Sequence, residues 1–211
     1  MFNENMSIAR KVKPMSKKQD GVSDLEFCPL TAERWSDLEK LFGPHGACGG
    51  CWCMWWKLKR SEFTLLKGEG RKKAFKSIVE SGEVPGILAY ADSEAIGWCA
   101  VAPREAYPVL GRSRVLAPVD DEGVWSVVCF FVDERFRGLG VAERLLRAAV
   151  EHVRKYGGRI VEGYPVEPRK KFVPPVLVYT GLPSMFRKVG FVEVVRRSET
   201  RPIMRYVIEE K

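Results

Sequence analysis

The residues Phe136-Arg137-Gly138-Leu139-Gly140-Val141-Ala142-Glu143-Arg144-Leu145-Leu146, FRGLGVAERLL, decide how this 211-residue chain folds. They follow the apolar run VWSVVCFFV, 124–132, which reads as a strand buried on both faces. They open an amphipathic helix, 141–157, with Val141, Leu145, Ala149 and Val153 on one face and Arg144, Arg147, Glu151 and Arg154 largely on others. Gly138 and Gly140 can take positive φ and let backbone approach a ligand closely. The helix behind them offers unpaired N–H groups and the positive end of its dipole. Together these form a pyrophosphate cradle that needs no lysine, with the charge of Arg137 beside it. The next strand, RIVEGY at 159–164, completes a strand-helix-strand crossover.

Outward from this unit the elements are short. Residues 24–30 read as a strand and 31–42 as a helix, with Thr31 as N-cap, Glu33 and Arg34 in the first turn, and Trp35, Leu38, Leu41 and Phe42 at helical spacing. A second helix, 69–82, closes at Gly82. Strands 86–91 and 95–103 are joined by a turn, Asp92-Ser93-Glu94, and predict an antiparallel hairpin. Beyond the crossover come a proline-rich stretch, 165–175, a short helix, 182–190, and closing strands at 191–197 and 202–209. A parallel crossover within an otherwise antiparallel sheet predicts a mixed α/β (α+β) domain with flanking helices over 24–211, preceded by a loose polar extension at 1–23.

Composition excludes several classes. The 45% hydrophobic and 29% charged content is that of a globular protein. The apolar runs fall short of the roughly 20 residues a bilayer span needs, so no membrane association and a cytoplasmic location are expected. Six cysteines are then expected reduced. The net charge of +8 is dispersed, and no nucleic-acid recognition motif accompanies it. Such a surface is either simply solvated or steers an anionic ligand.

Three phosphate-binding families use glycine-rich turns. A Walker A loop is excluded because Val141-Ala142-Glu143 stands where Gly-Lys-Ser/Thr is required. The dinucleotide fingerprint fits at Gly138, Gly140 and a downstream Glu162, but Glu143 occupies its third small position and five residues separate strand from glycine. A nucleotide-linked oxidoreductase is therefore the alternative. The signature Arg/Gln-x-x-Gly-x-Gly/Ala is met by Arg137 to Ala142, and a helix running into Gly-Phe and a strand is met by SMFRKVGFVEVV, 184–195. In these motifs, and in the order of elements over roughly 24–208, the chain resembles the GNAT N-acetyltransferase superfamily.

That resemblance implies a GNAT-like fold and acetyl-CoA as co-substrate. It implies that the backbone of Cys129, Phe130, Phe131 and Val132 pairs with the pantetheine arm, and that Arg137, Gly138, Leu139, Gly140, Val141 and Ala142 hold the pyrophosphate. A small-molecule or peptide amine would meet the thioester where VVCFFV and IVEGYP splay apart; a homodimer is left open. Many members place a proton-donating tyrosine four residues before the Gly-Phe pair, where this chain has Phe186. Tyr179 is the candidate acid, with Tyr164, Thr180 and Ser184 as nearby substitutes. Glu162 is the candidate base, with an ion pair as its other reading. Cys129 reads as an acyl acceptor or an inert core thiol, and Phe186 also admits a non-catalytic acyl-CoA-binding module.

The stretch HGACGGCWCMWWKLKR, 45–60, is the densest in chemistry. His45, Cys48, Cys51 and Cys53 could ligate zinc, but so tight a cluster closes a tetrahedron poorly, and the expectation is no metal. Cys48 and Cys51 form a CxxC outside the strand-flanked setting of a redox motif. Core filling and pocket lining are the other readings. In the resembling family this region borders the acceptor, which would make Trp52, Trp55 and Trp56 its wall.

Overall fold

The computed structural model describes residues 24–169 and 173–209; the 1–23 extension lies outside them. Seven strands form one sheet: β1 (Glu26–Pro29), β2 (Gly86–Ala91), β3 (Glu94–Pro103), β4 (Trp125–Val132), β5 (Ile160–Gly163), β6 (Val192–Arg196) and β7 (Pro202–Val207), in the order β1-β2-β3-β4-β5-β7-β6. All neighbours are antiparallel except β4 and β5, which pair in parallel from Trp125–Val161 to Val127–Gly163. The β2–β3 hairpin turns at Asp92 and Ser93, both at positive φ, the backbone that the tightest hairpin turns demand.

Helices cover both faces. On one lie α1 (Trp35–Phe42), α2 (Arg60–Glu80) and the short α3 (Pro108–Gly111); on the other lie α4 (Val141–Lys155) and α5 (Pro183–Val189). The expected helix starting at Thr31 begins instead as a 3-10 turn, Ala32–Arg34, and Thr31 makes no capping bond. Helix α2 starts nine residues earlier than its apolar pattern indicates because it is two helical pieces broken at Lys67 (φ 41°). Helix α4 buries the predicted stripe, and Gly97 of β3 lets it approach: a Cβ there would lie 3.0 Å from Leu145 Cδ1.

One buried group on α4 makes the fold sensitive to acid. His152 is 6% exposed and packs between Trp125 and Tyr156, ring centroids 6.0 and 4.7 Å away. Burial, and then the charge of Lys155, lower its pKa. Folded and unfolded chains are both neutral here well above the ordinary histidine value of about 6.5. Below it the unfolded chain takes up the proton more readily, so stability falls with pH. Unfolding free energies measured from pH 7.5 to 5 are expected to decline less steeply in His152→Phe; identical slopes would exclude the histidine as the cause.

Candidate active site

The site is built where β4 loses its neighbour. Strand β5 accompanies it only as far as Val127. Beyond that point Ala100 pairs with Cys129 and Val101 with Val127, so Val128 is an inserted bulge residue, a device that re-aims side chains. Asp133 N–H donates to Ile96 C=O, which fixes the alternation: Phe131 and Asp133 bond toward β3, while Phe130 and Val132 present their backbone to the gap. Two of those gap-facing groups already have partners. Phe130 N–H donates to the carbonyl of Tyr179 at 2.6 Å, and Val132 C=O accepts from Arg137 Nε at 3.0 Å.

At the end of β4 the glycine turn forms an open concavity of about 240 Å³, lined by Val132, Phe136, Arg137, Gly138, Gly140, Val141, Ala142, Glu143 and Met185. Gly138 and Gly140 both sit at φ +78°, and a Cβ on either would meet nothing within 4 Å. Gly140 is the N-cap of α4 and supplies no side-chain cap, so the first N–H groups of the helix face the concavity without one. Glu143 is the adverse charge there. Arg147 (3.1 Å) and Lys188 (3.8 Å) neutralise it. Leu139 is exposed and lines none of this hollow.

The concavity shares Val132 and Arg137 with a deeper cavity of about 610 Å³. One wall of that cavity is β4 from Cys129 to Val132, the second is the loop carrying Cys48, Cys51, Cys53, Trp55 and Trp56 with Phe63 of α2, and the third is Pro175, Val176 and Tyr179. Trp52, expected in the wall, is instead core: it is 5% exposed and stacks on Trp35 at 6.0 Å. Left-handed backbone at Trp52 (φ 47°) and Cys53 (φ 55°) turns the first inward.

The loop's cysteines also part company. Cys48 is exposed, while Cys53 is buried and accepts the Trp98 indole N–H at 2.9 Å. Among the described residues no three His, Cys, Asp or Glu groups converge as metal ligands. Burial, and then the neighbouring Cys53 thiol, push Cys51 up to about 11, which leaves little thiolate at neutral pH.

The two candidate catalytic groups lie in different settings. Tyr179 lines the cavity, and burial, then Cys129, push its phenol up to about 12. Glu162 lies outside the lining and is wholly buried. Its Oε1 accepts from Arg104 Nη1 (3.0 Å) and the Tyr164 hydroxyl (2.7 Å), and its Oε2 from Arg205 Nε (2.7 Å). Because the Tyr164 proton is committed to Glu162, Ser126 Oγ–H donates in the 2.8 Å contact with Tyr164. The same arginines hold the 104–124 connection: Arg104 donates to Leu116 C=O (2.6 Å) and Arg205 clamps both oxygens of Asp120. Phe186 is fully buried against Gly163, where a Cβ would lie 2.1 Å from its ring. Sequence reading missed Arg104, Arg205 and Phe63, whose roles arise from contacts across the fold.

The sequence model of the acetyltransferase (GNAT) family matches residues 52–167, and the chain belongs to that family. No curated protein matches it in sequence. Solved structures share its fold at low identity. A GNAT-family acetyltransferase from Listeria monocytogenes 4b F2365 superposes with a TM-score of 0.54 at 8% identity, over 87% of this chain and 95% of that one. One from Streptococcus agalactiae 2603 gives 0.52 at 12%, over 88% and 96%. The yncA protein of Salmonella typhimurium, in a structure that includes its cofactor acetyl-CoA, gives 0.51 at 9%, over 89% and 95%. Among the described residues no helix is long and apolar enough to cross a membrane.

Proposed function

We propose that this chain transfers an acetyl group from acetyl-CoA to an amine held in the 610 Å³ cavity. The carrying observation is continuity: an uncapped helix N-terminus behind two left-handed glycines opens directly onto the edge of β4 that has no neighbouring strand. In this reading Arg137, Gly138, Gly140, Val141 and Ala142 hold the pyrophosphate, with Leu139 serving only the turn. The Cys129 to Val132 edge guides the pantetheine arm, whose pairing at Phe130 requires the Tyr179 carbonyl to release that N–H. Trp55 and Trp56 contact the acceptor.

The amine nitrogen attacks the thioester carbonyl, the C–N bond forms and the C–S bond breaks. Tyr179 gives its proton to the departing thiolate and recovers one from solvent, while the proton lost by nitrogen passes to water. Glu162 is assigned to positioning β5 and the 104–124 connection rather than to proton transfer, since both its oxygens are occupied by cations and neither faces the cavity. Cys129 is read as a wall residue.

Thermal-shift measurements with acetyl-CoA, CoA and NAD test the donor. Acetyl-CoA at a hundred times its Kd is expected to stabilise the fold by about 2.7 kcal/mol, and NAD to have no effect. A shift with NAD alone would transfer the chain to the nucleotide-linked alternative. Arg137→Ala is expected to raise KM for acetyl-CoA about tenfold, the loss of one charge-assisted contact. An unchanged KM would remove Arg137 from the cradle.

A further inference from the structure

The chemistry of the cavity wall restricts what can be acetylated. Its lining carries no carboxylate among the described residues, and its one charged side chain is the cation Arg137. Aromatic faces could otherwise receive an ammonium group, but two of them, Phe63 and Trp55, already border cations. Arg71 lies 3.7 Å from the Phe63 ring centroid and Arg60 lies 5.6 Å from that of Trp55. Arg71 is fixed in place by bonds to the carbonyls of Phe63 and Gly50. Two carboxylates, Asp133 and Glu134, line an adjoining shallow hollow that shares Ala47, Phe131 and Arg137 with the cavity. Of these, Asp133 has both oxygens bonded by Arg135 and Glu134 is exposed to water.

A protonated amine entering this cavity would lose its hydration, gain no counter-charge from the lining and meet the cation Arg137, with Arg60 and Arg71 already over the rings of Trp55 and Phe63. Burying an uncompensated cation is among the costliest steps a site can demand. An alkylamine such as a lysine side chain is neutral in only about one molecule in a thousand at pH 7.4. An amine of low basicity arrives neutral, with its lone pair available, and its apolar body matches the Trp55, Trp56 and Phe63 wall.

We infer that the acceptor is an apolar, weakly basic amine, of the aromatic-amine class, that enters the cavity uncharged. This rests on the acetyl-transfer reading above. The bond changes are those already given: the amine's C–N bond to the acetyl carbon replaces C–S, and the nitrogen gives up one proton.

The test is a panel of CoA-release rates on the full chain at pH 7.4, using aniline and 4-aminobenzoate against phenethylamine, spermidine and Nα-acetyl-lysine amide. Phenethylamine keeps the ring and adds the positive charge, so it separates aromatic packing from electrostatics. The expected result is a kcat/KM at least tenfold higher for the aromatic amines than for each of the three cations. Rates with phenethylamine should climb about tenfold per pH unit between 7 and 9, while those with aniline stay level. Phe63→Glu, which puts a carboxylate into the wall, should shift the ratio toward phenethylamine at least tenfold.

A chain stabilised by acetyl-CoA that prefers any of the three cations, or turns over none of the five amines, overturns the acceptor assignment alone. A chain that acetyl-CoA neither stabilises nor acylates anything with overturns the reading beneath it, and this assignment with it.

Discussion

Glu162→Gln is expected to lower the unfolding free energy by about 3–5 kcal/mol, the usual cost of removing one member of a buried ion pair. The amide leaves Arg104 and Arg205 next to each other, both largely buried, with no negative charge between them. It also presents N–H groups to donors that need an acceptor. The loss should spread, since Arg104 and Arg205 tie residues 104–124 to β5 and β7 through Leu116 and Asp120. A domain of this size has roughly 5–15 kcal/mol in total, so the denaturant midpoint should fall by a large fraction while the slope m stays unchanged. Pairing the change with Arg205→Gln should give strongly non-additive losses, by about 1–3 kcal/mol, as expected for groups in one network. A variant that keeps wild-type stability but loses turnover would restore Glu162 to proton transfer.

The case of Glu162 also marks where sequence reading stops. An acidic residue at the end of a strand beside a presumed gap is visible in RIVEGY, but its partners lie 58 and 43 residues away. Nothing local distinguishes a base from a buried counter-ion. The crossover was legible because its signals are local: an apolar run, two glycines with left-handed freedom five residues beyond it and a stripe of period 3.6 all fall between Val124 and Val153. Strand β2 was bounded correctly at both ends for the same reason, an apolar run, GILAYA, that ends at a tight turn.

Helix α2 was not bounded correctly. Its first turns, from Arg60 to Leu66, are exposed except for the half-buried Phe63 and Leu66 and are cut off from the rest at Lys67, so no sustained apolar period betrays them. Phe63 was missed with them. The tryptophans of the 45–60 loop were legible as apolar anchors, and both Trp52 and Trp56 are buried, but which of them leaves the cavity depends on three left-handed residues, Ala47, Trp52 and Cys53. That backbone is rare for residues with a side chain, and it sends Trp52 to Trp35 while Trp55 and Trp56 stay on the cavity.

Tyr179→Phe is expected to lower kcat at least tenfold, toward the hundredfold range typical of a lost general acid, with little change in KM for acetyl-CoA. The case begins at Phe186: the ring there is buried against Gly163 and carries no proton to give. Tyr179 lines the cavity beside the Cys129 to Val132 stretch of β4, and its carbonyl accepts from Phe130 N–H, the bond that the pantetheine arm would displace. The substitution removes one oxygen and keeps both the ring and that backbone bond, so unfolding midpoints should be unchanged and a fall in kcat is attributable to the hydroxyl. Its protonation state supplies a second readout. Burial, and then Cys129, hold the phenol protonated to about 12. An acid works only while protonated, so the wild-type rate should show no alkaline decline up to pH 10, whereas an unshifted phenol would by then be half ionised. A decline near pH 9, or unchanged kinetics in the phenylalanine variant, would mean that the thiolate takes its proton from the attacking amine or from water. The site would then act by orientation alone, which is worth most when the acceptor arrives neutral and needs no base.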